Sequence, residues 1–184
     1  MGSLSNLWSL VFSFCVVTSV VAQEEPIPWS PDRKLQWSDF KGTHFKTEWA
    51  AATTASGISY SFSSYEKEGQ WYLDLLVTCE FYPDKSWYQP ELCDSAILGH
   101  EQLHFDISEF FARKMRQRLS KSKFTKNVKA EVRSIYKEVL KELSYFQNKY
   151  DHETNFSRNP EKQNEWNKRI AKALLETDSG YNVN

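Results

Sequence analysis

Histidine and cysteine are both scarce in this chain of 184 residues, with four of the first and three of the second. Cys15 falls within the first twenty-two residues, so Cys79 and Cys93 are the two that follow, and they form no C-x-x-C pair. That argues against a cysteine-built metal site. No long apolar run follows residue 22, which excludes a later membrane-spanning helix. Internal repeats and low-complexity segments are missing too. Charge is absent from Leu4 to Ala22, a stretch of apolar and small residues that ends in VVAQEE. Cleavage after Ala22 fits the small-residue rule of a secretory signal, although Lys and Arg are missing from its start; the stretch is also just long enough for an uncleaved anchor. The expected organisation is a signal peptide over 1–22 and a single domain over 23–184, secreted or periplasmic. In an oxidising compartment the two remaining cysteines are expected to pair as a Cys79–Cys93 disulfide, worth about 3 kcal/mol for a loop of this length.

What is present describes a folded domain. Hydrophobic residues make up 40% of the chain and aromatic residues 15%, a globular and not a disordered composition. The net charge of −1 hides an uneven spread. Residues 23–112 hold 15 acidic and 6 basic side chains, whereas 113–149 hold 3 and 12. Stacking aromatics are not interleaved through the basic block, so it is expected to be the solvated face of two helices, with no nucleic-acid partner.

Secondary-structure signals change along the chain. An arm with three prolines, EEPIPWSPDRK, leads to a short strand or turn at 35–40. Residues 54–62 and 71–81 are rich in β-branched and aromatic residues and read as a hairpin, with YEKEGQ as a polar connection. From 92 to 119 the stripe Ile97, His100, His104, Ile107, Phe111, Met115 has helical spacing. A second helix is expected over about 128–150, with Val132, Tyr136, Val139, Leu143, Phe146 and Tyr150 on one face. A third is expected over about 161–176, capped by Asn159 with Pro160 at its first position. Strands followed by helices give an α+β fold: a small antiparallel sheet, then two or three long helices.

The chemistry gathers at His100-Glu101-Gln102-Leu103-His104. Histidines four apart lie one turn apart on one helix face, so both imidazoles can address one ion. Glu101 lies about 100° around from His100, where it reaches a water on the metal and not the metal itself. This is the H-E-x-x-H arrangement of a zinc hydrolase, with Glu101 as general base. A chance match is expected in about one such sequence in a hundred. The placement of both histidines on an apolar stripe, where each needs a partner, favours a shared metal. A third ligand is then required. His44 is a weak candidate, and Glu109 is too far along the same helix. The richest cluster is YDHETN at 150–155, which offers Asp151, His152 and Glu153 at the end of the second helix; antiparallel packing of the two long helices would return it to the histidines. Tyr150 and His152 are candidates to stabilise a developing oxyanion. Asp106, two residues past His104, faces away from the metal and is expected to tie the helix to the N-terminal arm.

LQWSDFKG (35–42), AATTASGISY (51–60), HEQLHFD (100–106) and YDHETN, with Gln163 and Trp166 after it, together resemble the domain-of-unknown-function 922 family, bacterial proteins described as predicted secreted zinc-dependent proteases. The resemblance spans roughly residues 29–170. It implies His100 and His104 as Zn2+ ligands, Glu101 as general base, and the YD-x-E-T segment as part of the site. Many relatives carry a histidine where this chain has Phe156, so the third ligand is expected to be Asp151, with Glu153 as the alternative. The implied activity is a zinc metallopeptidase acting on a peptide or protein substrate, which an edge strand of the hairpin could hold. The competing expectation is a catalytically inert, zinc-stabilised envelope binding module.

Overall fold

Two consecutive residues with positive φ, Glu68 at 54° and Gly69 at 75°, fix the sheet. They are the central positions of a two-residue hairpin loop of type I′ sign, the loop whose twist matches its flanking strands. The computed structural model, which describes residues 24–43 and 50–178, has β1 at Ile27–Pro28, β2 at Ala52–Thr53, β3 at Ser56–Lys67, β4 at Gln70–Phe81 and β5 at Trp87–Tyr88. β3 and β4 pair antiparallel from Ser56↔Phe81 to Lys67↔Gln70. The connection expected over YEKEGQ therefore shrinks to Glu68 and Gly69, because Tyr65 and Glu66 continue the strand alternation. β1 adds to the base of β4 through Ile27↔Phe81, and β2 pairs separately with β5.

The helices are α1 (Ser95–Lys121), α2 (Val128–Thr154) and α3 (Pro160–Asp178), completing the α+β architecture. α1 begins later than its apolar stripe implied, because the Asp94 carboxylate caps it, accepting from the amides of Ala96 and Ile97 at 2.9 Å each. Asn159 Oδ1 accepts from the Lys162 amide at 3.1 Å, with Pro160 opening α3, as the cap pattern predicts. No described helix is long and apolar enough to cross a membrane.

α1 occupies the centre. It buries Phe105, Ile107, Phe111 and Met115 in a core shared with Ile58, Val77, Cys79 and Phe81 of the hairpin. Antiparallel packing on α2 pairs His104 with Gln147 near one end and Lys114 with Glu142 (3.0 Å) toward the other. The N-terminal arm is strapped across α1. Trp29 Nε1 donates to Asp106 Oδ1 at 2.7 Å, and the Leu35 amide donates to Gln102 Oε1 at 2.7 Å. Asp106 thus anchors the arm as expected, through Trp29.

The disulfide expectation is corrected. Cys79 and Cys93 are both free. Cys79 is buried on the inner face of β4, where burial and the nearby Glu109 raise its thiol pKa. Cys93 sits before α1 and its Sγ donates to the Ala51 carbonyl at 3.3 Å. Cys79 belongs to the core beneath the hairpin and Cys93 to the loop before α1, so parity of count does not translate into a bridge. Reductant is therefore expected to leave the melting temperature unchanged. Loss of a bridge worth about 3 kcal/mol would instead lower it by roughly 6–12 °C in a domain of this size, a difference that thermal melts with and without dithiothreitol resolve.

Candidate metal centre

His100 and His104 project from the second and third turns of α1 toward the C-terminal end of α2, where Asp151 meets them. His100 Nε2 lies 3.1 Å from Asp151 Oδ1, His104 Nε2 lies 2.9 Å from the same oxygen, and the two Nε2 atoms are 3.2 Å apart. These edges approach the roughly 3.3 Å expected between ligands about 2.05 Å from a tetrahedral zinc. His100, His104 and Asp151 form a group that could hold a metal ion.

Hydrogen bonds on the far side of each ring fix which nitrogen faces inward. His100 Nδ1 donates to Gln163 Oε1 at 3.0 Å, and His104 Nδ1 donates to Gln147 Oε1. An amide oxygen can only accept, so each Nδ1 carries the proton and each Nε2 presents a lone pair to Asp151. Gln147 is itself held, its Nε2 donating to the His104 carbonyl (3.1 Å) and to Ser108 Oγ (3.3 Å). Gln163 also accepts from the Tyr150 hydroxyl at 2.9 Å. Three acceptors thus converge with no proton fixed between them, which is the donor set of a cation site.

Without a cation, that convergence favours a proton on His104. Burial works to lower its pKa, but the hydrogen bond to Asp151 and the charges of Glu101 and Asp151 outweigh burial, and the net shift is upward. Asp151 responds in the opposite sense. Burial alone would raise its pKa, yet its bonds to His100 and His104 hold it well below the usual carboxylate range.

Glu101 is the second unusual carboxylate. The residue is 5% exposed, and its Oε2 is buried with no hydrogen-bond partner among the described residues. Such an atom is costly unless a polar group reaches it. It lines a cavity of about 530 Å3 together with His100, His104 and Asp151. An orphaned carboxylate oxygen beside a His-His-Asp set fits a metal with an open position.

The other expected residues are placed differently. Glu153 accepts from Trp166 Nε1 at 2.9 Å and approaches Lys149 at 3.6 Å, so it points to α3 and leaves Asp151 as the carboxylate of the group. Tyr150 is fully buried, stacks on His100 with ring centroids 4.5 Å apart, and turns its hydroxyl to Gln163 and the His100 carbonyl. It supports a ligand and does not line the cavity, so the oxyanion role expected for it is corrected. That role is corrected for His152 as well: it is exposed and absent from the cavity lining. The strand that borders the cavity is β2, through Ala50–Thr54, and not the hairpin edge. His44 and the expected signal segment 1–22 lie outside the described residues.

Sequence reasoning missed the orienting role of Gln147. Its position one turn before Asp151, on the same α2 face, was the available signal. If Gln163 holds His100 as described, Gln163→Leu should weaken metal affinity by about 10–100-fold, the usual cost of a lost outer partner, without unfolding the chain. Metal titration against a chromophoric chelator would show it.

Comparison with curated proteins and with solved structures finds no match. Residues 85–159 match the family described as "Bacterial protein of unknown function (DUF922)". That segment carries α1, α2 and the whole His100–Glu101–His104–Asp151 cluster, so over these residues the chain is similar to the DUF922 family.

Proposed function

We propose that the protein is a zinc-dependent hydrolase that cleaves peptide bonds, acting outside the cytoplasm. The observation that carries this reading is the partnerless buried oxygen of Glu101, set beside three converging ligands in an open cleft. A zinc ion bound there would acidify a coordinated water and polarise the substrate carbonyl. The chain's own residues supply the rest. His100, His104 and Asp151 hold the ion, with Gln163 and Gln147 fixing the rings so that only Nε2 is presented. Glu101 accepts the proton of the attacking water at Oε2 and passes it to the leaving amine. An extended peptide laid beside β2 would bring its carbonyl over the histidines.

A purely structural zinc site is normally closed by four protein ligands, whereas the group here has three among the described residues. That favours catalysis over an inert zinc-stabilised module. The test is a zinc-loaded sample of the chain from Gln23 onward, incubated with a mixed peptide library and read by mass spectrometry. Cleavage that chelator removes and zinc restores supports the reading. Zinc that raises the melting temperature without any cleavage would favour the inert module.

A further inference from the structure

We infer that the turn between α2 and α3 forms a subsite for a substrate carboxylate, with Arg158 as the binding group and Phe156 as its apolar wall. The inference rests on the peptide-cleaving reading and adds the substrate class.

Many helices end on one left-handed residue, and α2 ends on Asn155 (φ 49°), with the Phe156 amide returning to the Asp151 carbonyl at 2.9 Å. Here two further residues stay left-handed, Phe156 at 51° and Ser157 at 71°. Neither is a residue that tolerates that region well. The Asn159 amide to the Thr154 carbonyl (2.8 Å) and the Arg158 amide to the Asn155 carbonyl (3.2 Å) hold the turn. Capping does not require the extra strain. Its consequence is that Phe156, Ser157 and Arg158 line the same cavity as His100, Glu101 and Asp151. Strain retained beside reacting groups is commonly part of a site.

Charge and polarity then define the ligand. Glu101 and Asp151 give the cavity two carboxylates, and among the described lining residues Arg158 is the one basic side chain besides the two histidines. Arg33, Arg113, Arg116 and Arg118 are each tied to a carboxylate. Arg158 makes no side-chain hydrogen bond or ion pair with any described residue. A guanidinium fork suits a carboxylate. Phe156 is 54% exposed and Leu92 57% exposed, and both line the cavity with Ile97, so an apolar side chain next to the carboxylate fits. Two sources share that chemistry, a free C-terminal carboxylate and an acidic side chain.

The probes are acetyl-glycyl-phenylalanine as free acid, the same compound as its amide, and the amide extended by one aspartate. Binding to the zinc-loaded Glu101→Gln protein is measured by calorimetry. At least one carboxylate probe is expected to bind about tenfold tighter than the plain amide, and the one that does names the source. In Arg158→Ala the preference should fall to within about twofold, and Arg158→Lys should restore part of it, with zinc content the same throughout. Phe156→Gly should melt higher, because the strained φ is relieved, yet bind every phenylalanine probe less well. No preference in the parent overturns the inference. So does a preference that survives Arg158→Ala, since the carboxylate would then be ligating zinc alone. Unchanged binding in Phe156→Gly removes the apolar wall. An Arg158-dependent preference in a protein that cleaves nothing keeps the subsite and discards the hydrolase; cleavage indifferent to Arg158 does the reverse.

Discussion

Replacing Glu101 with glutamine is expected to leave zinc content unchanged and to lower peptide hydrolysis by about 10²–10⁴-fold, the range supplied by a positioned general base. The side chains are the same shape, and Glu101 is not among the three converging ligands, so the ion keeps its full set. What changes is chemistry at one atom. Oε2, buried and partnerless, would become either an amide nitrogen that cannot accept a proton or an amide oxygen too weakly basic to do so. Glu109 is the matched control. It is also on α1 and also buried, but it is bonded to Arg113 at 2.8 Å and Arg116 at 2.9 Å. Glu109→Gln breaks a buried charge network and should lower stability, while the surviving folded fraction turns over normally. Equal rates for Glu101→Gln and the parent would remove the proposed mechanism, whatever the metal content.

The H-E-x-x-H helix was legible because its signal is local. Spacing of four puts two imidazoles on one face, and Asp94 and the apolar stripe place that face inward. The antiparallel return of α2 was legible too, since its stripe runs to Tyr150 and so brings the YDHETN end of the helix back beside the histidines. The choice between Asp151 and Glu153 was not settled by periodicity. Both lie near the stripe, and only the contact of Glu153 with Trp166 on α3 separates them, a contact between segments far apart in helical phase. Tyr150 shows the same limit. A tyrosine next to a ligand suggests chemistry, but full burial and the pull of Gln163 make it a support. The cysteines failed for a related reason. Pairing depends on where Cβ atoms end up in three dimensions, and parity carries no information about that. Three consecutive left-handed residues at 155–157 left no compositional trace, because none of them is glycine.

Asp151→Asn should abolish stable metal binding, weakening affinity by more than about a hundredfold, while Glu153→Gln should leave it intact. The neutral amide removes the only anionic ligand of the group, and no described neighbour replaces it. For the parent, zinc at a thousand times its Kd adds about 4 kcal/mol of stability, so paired melts with chelator and with zinc read the loss directly. The pH dependence makes the test sharper. In the metal-free chain Asp151 has a depressed pKa, so its contribution is present above the ordinary carboxylate value and disappears as pH falls through the depressed one. His104 has a raised pKa, so its contribution is present below the ordinary imidazole value and disappears as pH rises through the raised one. The metal-free chain is therefore most stabilised by this pair between about pH 4 and about pH 6.5. Once pH has passed the raised His104 value, three lone pairs face one another without a proton, and that is the state a cation stabilises. The melting-temperature gain from zinc should grow as pH rises through the raised His104 value, with proton release accompanying binding below it. In Asp151→Asn the imidazole loses its counter-ion, so the metal-free chain should lose its pH window together with its response to zinc. A variant that kept the zinc response but lost the window would mean that Asp151 pairs with His104 without ligating the metal.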